Sequence, residues 1–163
     1  MLSVGIETTN PLKGNTMRRK LMTATLLMAG LTAGVANAAE IEVQMLNKGD
    51  KGGMVFQPDF VVAEPGDSIK FVSVDKGHNA ESIEGMLPDG VESFKSGMSK
   101  DFVLTVEKDG LYGIKCTPHY GMGMVALITV GEPANEDAAM AVKQKGKAKS
   151  RFEEIFAEYE AAK

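Results

Sequence analysis

The chain has 163 residues, of which 44% are hydrophobic and 25% charged, with a formal charge of −4 and a single cysteine. An acidic balance argues against nucleic acid as a partner, and one cysteine excludes an internal disulfide framework. Once an N-terminal leader is set aside, the remainder is long enough for one domain around one core.

That leader is the first element in chain order. Met17-Arg18-Arg19-Lys20 is a short basic region, "LMTATLLMAGLTAGV" is apolar but too short to span a bilayer comfortably, and Ala36-Asn37-Ala38 has the small residues of a cleavage site. The pattern predicts a signal peptide within residues 1–38, cleaved after Ala38, with residues 1–16 an extension upstream of Met17. Export to the periplasm follows, with no membrane insertion of the mature form. The leader holds four basic residues and one acid, so the mature chain, 39–163, is the more acidic part. In an oxidising compartment an accessible lone thiol is exposed to oxidation, so Cys116 is expected to be buried or ligated.

From Ala39 to about Val130 the hydrophobic period is two, which predicts a mainly β sandwich over 39–131. "IEVQM" alternates Ile41, Val43 and Met45 with polar residues. "SIKFVSV" follows the turn Pro65-Gly66-Asp67, and "DFVLTVE" places Phe102, Leu104 and Val106 on one face. The polar segment 75–100 reads mostly as loop. "LYGIKC" and "MVALITV" read as two strands joined by the stretch between them. After Gly131 the period changes, predicting two α-helices in a C-terminal extension over 132–163. Asn135 is positioned to cap the first, "EDAAMAVKQK", and the lysine run 143–149 reads as a solvated connection. Phe152, Ile155, Phe156 and Tyr159 then form a stripe at i, i+3, i+4 and i+7 that should pack on one face of the sandwich.

The joining stretch, "CTPHYGMGM", carries the chemistry. It contains the only cysteine, Cys116, and one of the two histidines, His119; the other is His78, just past a strand end. Two imidazoles, a thiolate and a weak thioether form the donor set of a blue-copper electron-transfer site. Zinc would also accept Cys and His, but its structural sites take four strong ligands, and no second thiol or carboxylate lies in this cluster. A cysteine nucleophile would want a helix N-terminus or comparable electropositive turn and a third group to orient its base, and no helix follows Cys116. At this level the thioether is open between Met122 and Met124.

"GHN", followed some forty residues later by "YGIKCTPHYGMGMVALITV", resembles the cupredoxin family of type 1 blue copper proteins, and the resemblance extends over the whole mature chain. It implies a Greek-key β-sandwich with two C-terminal helices and one type 1 copper. The implied ligands are His78 and His119 through Nδ1, Cys116 through Sγ, and Met124 through Sδ as the weak axial ligand. The family's spacing of four residues between His and Met selects Met124 over Met122. Asn79 matches the family position whose N–H bonds the cysteine sulfur and whose side chain ties the ligand loops together. Pro118 has no N–H to offer the sulfur, and Met54 is expected near His119. His119 should present its edge to solvent within an apolar face rimmed by Lys48, Lys76, Lys95 and Lys115. The implied function is a monomeric electron carrier rather than an enzyme. It would dock on acidic redox partners, with a copper nitrite reductase or another denitrification enzyme as acceptor and a cytochrome as donor. A copper storage or delivery protein is the alternative.

Overall fold

A computed structural model describes residues 38–163. Apart from Ala38, the leader expected over 1–38 lies outside the described residues.

Two four-stranded sheets form the sandwich. The first has the order β2-β1-β4-β6, from β1 (Glu40–Gly49), β2 (Gly52–Gln57), β4 (Ser68–Val72) and β6 (Phe102–Thr105). The second has the order β3-β8-β7-β5, from β3 (Phe60–Ala63), β5 (Glu81–Ser82), β7 (Gly110–Lys115) and β8 (Val125–Val130). The pairs β1–β4 and β3–β8 run parallel and the rest antiparallel, because the chain crosses between sheets after β2, β3, β4, β5 and β6. Such crossings give a Greek-key β-sandwich, as expected.

Alternating residues fill the space between the sheets. Val43, Met45, Phe56, Ile69 and Phe71 of the first sheet meet Val61, Ala63, Tyr112, Ile114, Ala126, Ile128 and Val130 of the second. Cys116 and Met124 belong to the same buried cluster, so the sulfur atoms of the joining stretch sit at one end of the core. β8 is buried at every residue. Its Val125 and Leu127 face a second cluster with Phe152, Ile155 and Tyr159 of α2 (Lys147–Ala162). A strand covered on both faces needs apolar side chains on both, which explains the near-continuous run "MVALITV".

The helical stripe thus packs on the sandwich as expected, and charge closes its edge. Buried Asp59 takes Lys51 at 2.7 Å and Arg151 of α2 at 3.6 Å, while Lys51 also reaches Glu158 at 2.6 Å.

The C-terminal extension differs from its sequence reading in three respects. The first helix, α1, spans only Glu136–Ala141, and Val142 is already extended. There the half-buried Val142 joins the second cluster, and Gln144 accepts a hydrogen bond from the Tyr120 hydroxyl at 2.5 Å, so tertiary contacts override helix propensity. Asn135 makes no side-chain cap. Its Oδ1 accepts from Leu111 N at 2.8 Å and its Nδ2 donates to Leu111 O at 2.9 Å, so the amide behaves as an added strand residue beside β7. The lysine run is only half connection, because Lys147 opens α2 and Ala148 is buried.

Tyr159 locks the extension together. Its hydroxyl donates to Glu136 at 2.7 Å, and Lys163 holds the same carboxylate at 2.5 Å. Burial first, and Glu136 second, push the Tyr159 phenol up to about 12 from its usual 10.0. The folded state therefore keeps a proton that the unfolded chain releases at lower pH. This contribution is complete below pH 10.0 and is lost as pH rises toward about 12. Urea unfolding at successive pH values should show stability declining over that window, with a shallower decline in Tyr159→Phe.

Candidate metal centre

The ligand loop is a short arch between paired strands. Cys116 follows the last residue of β7, Tyr120–Met122 form one 3-10 turn, and Met124 precedes β8. Three main-chain bonds close the arch: Cys116 N to Met124 O at 3.0 Å, His119 N to Cys116 O at 3.2 Å and Met124 N to His119 O at 3.2 Å. Gly123 ends the turn at φ 94°, a left-handed conformation that glycine adopts without penalty. His78 comes from the segment between β4 and β5, where Ser99 N donates to its carbonyl at 2.8 Å.

These segments bring three donor atoms together. His78 Nδ1 lies 3.1 Å from His119 Nδ1, and Cys116 Sγ lies 3.8 Å from the first and 3.5 Å from the second. Asn47 fixes the state of His78. Its Oδ1, 3.0 Å from His78 Nε2, can only accept, so Nε2 carries the proton and Nδ1 turns a bare lone pair toward the cluster. Burial first, and the neighbouring His119 second, hold His78 below its usual pKa despite Asp75. Burial pushes the Cys116 thiol up, against the backbone N–H groups of Asn79 and His119, which favour the thiolate. A neutral His78 and the buried Cys116 thiol suit a soft cation, which the thiol would hold by giving up its proton. Nothing in the site calls for a hard cation, because among the described residues the compact donor group is His78, Cys116 and His119 with no carboxylate.

The chain belongs to the plastocyanin/azurin family of copper binding proteins. That family matches residues 43–131. Pseudoazurin of Paracoccus pantotrophus is 58% identical over 117 residues, which cover 71% of this chain and 81% of that one. Pseudoazurin of Methylorubrum extorquens is 46% identical, covering 86% and 96%. Among solved structures, native pseudoazurin from Hyphomicrobium denitrificans superposes with a TM-score of 0.70 at 52% identity, covering 73% of this chain and 97% of that one. Cupredoxins of this family hold one type 1 copper, and the two imidazoles and thiolate found here fit that ion.

As a cupredoxin centre, the arrangement orders the remaining candidates. Met124 is 0% exposed beside the arch, whereas Met122 is 52% exposed, which leaves Met124 as the thioether directed into the protein. Asn79 has the clasping geometry: its Oδ1 accepts from Thr117 N at 2.8 Å and its Nδ2 donates to Thr117 Oγ1 at 2.9 Å. Pro118 is exposed. Met54 is half-buried against the core cluster, and the β1–β2 register leaves it opposite Asn47.

The lysines fall into two kinds. Among the described residues Lys48 and Lys76 are exposed with no carboxylate partner, but Lys95 and Lys115 both pair with Glu81, at 2.9 Å and 3.6 Å. Asn47, Thr117 and Glu81 were not picked out from sequence. Only Thr117 carried a local signal, as the hydroxyl next to Cys116; the other two reach the site through tertiary contacts.

Replacing Asn79 with Ala strips Thr117 N of its acceptor and opens the clasp. Urea unfolding of the metal-free protein should register a loss of about 1–3 kcal/mol, the usual net contribution of the two hydrogen bonds removed.

Proposed function

We propose that the protein is an exported electron carrier that uses His78, Cys116, His119 and Met124 as copper ligands. The observation that carries the reading is the asymmetry of the centre. His78, Cys116 and Met124 are fully buried, while His119 alone reaches the surface. When bound, copper supplies a one-electron couple between Cu(II) and Cu(I).

The protein's part is to hold the donors still and to provide an exit. Three of the proposed ligands lie on one arch closed by main-chain bonds, and the Asn79 clasp ties that arch to the His78 segment. Close packing leaves little room for them to shift when the charge changes, which keeps the barrier to transfer low. The half-exposed ring of His119 is the route out, flanked by Pro118 and the exposed Met122. A buried, braced site of this kind suits retention of the ion more than its release, which weighs against storage or delivery.

A leader over 1–38, cleaved after Ala38, supports export of this carrier to the periplasm. Among the described residues no helix is long and apolar enough to cross a membrane. Its partners are acidic redox proteins that meet the rim of Lys48, Lys76, Lys95 and Lys115, with a copper nitrite reductase as acceptor and a cytochrome as donor. Electron-transfer faces are small and transient, so the carrier works as a monomer.

Two outcomes test this. The copper-loaded protein should show an intense thiolate-to-Cu(II) band with reversible one-electron cycling, and Cys116→Ser or His78→Leu should abolish the band. Intense colour retained in either variant refutes the ligand set, while a colourless, readily exchanging Cu(I) form favours delivery. Separately, Lys48→Gln with Lys76→Gln should slow association with an acidic partner several-fold at low salt. The difference should vanish as ionic strength rises, as stopped-flow measurement would show.

A further inference from the structure

Glu81 stands between the lysine rim and the Cys116 sulfur. Backbone register puts it there: it pairs with Lys115 across β5–β7 and bridges to Lys95 on its other side. Its side chain binds both lysines, Lys95 at 2.9 Å and Lys115 at 3.6 Å, and also takes the hydroxyl of Thr117 in a short hydrogen bond. Burial works against its charge, but the Thr117 hydroxyl and the two ammonium groups outweigh it and hold the carboxyl below its usual range.

The Thr117 hydroxyl has one proton, and it goes to Glu81. The Thr117 oxygen is thereby left to accept from Asn79 Nδ2 at 2.9 Å, while Asn79 Oδ1 accepts from Thr117 N at 2.8 Å. The backbone N–H of Asn79, next along the chain from His78, in turn favours the Cys116 thiolate. The ionised carboxylate at one end therefore fixes the one bond in the chain that could turn, that of the Thr117 hydroxyl, and successive hydrogen bonds polarise one another toward the Asn79 amide.

We propose that Glu81 is a positioning residue that couples partner docking to the hydrogen bonding of Cys116. An acidic partner that takes Lys95 and Lys115 removes two of the three groups sharing the Glu81 charge. The carboxylate then bears more strongly on Thr117, and the change passes through the Asn79 side chain to the N–H on the sulfur. This rests on the carrier reading for its docking face and its ligand set.

The test is a titration of the isotope-labelled Cu(I) protein with poly-L-glutamate, following backbone amides by NMR. Asn79 is the decisive reporter, since its side chain is joined through Thr117 to the lysine-bound carboxylate of Glu81. In the native protein its amide should shift with the same midpoint as Lys95 and Lys115. In Glu81→Gln, which keeps the shape and loses the charge, the lysines should still respond while the Asn79 shift falls several-fold. Thr117→Val should silence Asn79 with Glu81 intact. An Asn79 amide that stays still in the native protein, or moves equally in Glu81→Gln, overturns the coupling. If Lys95 and Lys115 themselves do not respond, the rim falls and the coupling with it. Should the protein fail to hold copper, the carrier reading fails, and the same titration of the metal-free protein still decides whether Glu81 links the lysines to Asn79.

Discussion

The rest of the structure is arranged around keeping one thiol dry. A cysteine at a protein's surface is open to oxidation, and a cysteine loose in a core cannot hold a metal in fixed geometry. Here Cys116 follows the end of β7 as a member of the core cluster, and a main-chain bond to Met124 returns the chain directly into β8. The arch between them is too short to wander. His119 enters it from within the same turn, and only His78 has to be delivered by another part of the chain.

Delivery of His78 depends on side chains that replace sheet pairing. The segment from 75 to 100 has little regular structure of its own, and its main-chain groups are satisfied by particular partners. Ser99 N meets His78 O, Ser96 Oγ accepts from Ala80 N, and Asn79 clasps Thr117. From the other sheet, Asn47 at the far end of β1 sets the His78 tautomer. Neither sheet alone makes the centre; it exists because the sandwich brings the end of one sheet's strands against the loop of the other. The helices complete the support from outside. Tyr120 of the arch packs in the α2 cluster and bonds Gln144, and Gly146, at φ 56°, comes so close to Gly121 O that a Cβ there would lie 2.6 Å from it. The C-terminal extension is thus a backing for the ligand loop as well as a cover for β8.

What was legible from sequence follows from how local each feature is. The Cys-His-Met spacing lies within nine residues and could be read directly, as could the alternation of β1 and the stripe on α2, because each repeats within a single element. Asn135 misled because an amide suited to capping a helix also suits an unpaired strand edge, and Leu111 offered one. The first helix stopped early because Val142 and Gln144 gained more from the β-layer and Tyr120 than from another helical turn. Asn47 and Glu81 were invisible for a different reason. One lies on a strand 31 residues from its partner His78, and the other on a two-residue strand inside a segment whose composition reads as loop.

Glu81 also changes how the charge of the docking end should be counted. Lysine positions alone indicate four positive charges near the proposed exit, yet two of them share one carboxylate that is itself tied to the clasp. Partly exposed ion pairs contribute little to stability, so this cluster is poorly explained as a fold-holding device. Its effect is instead to lower the field at rest on the Lys95–Lys115 side and to leave Lys48 and Lys76 as the unpaired attractors. On a chain whose net charge is −4, the proposed attraction to an acidic partner would begin with those two lysines, and the paired ones would become available only at contact, where a second carboxylate competes with Glu81. Encounter and engagement are thereby assigned to different residues of one rim, and the residue that separates them is hydrogen-bonded toward the sulfur.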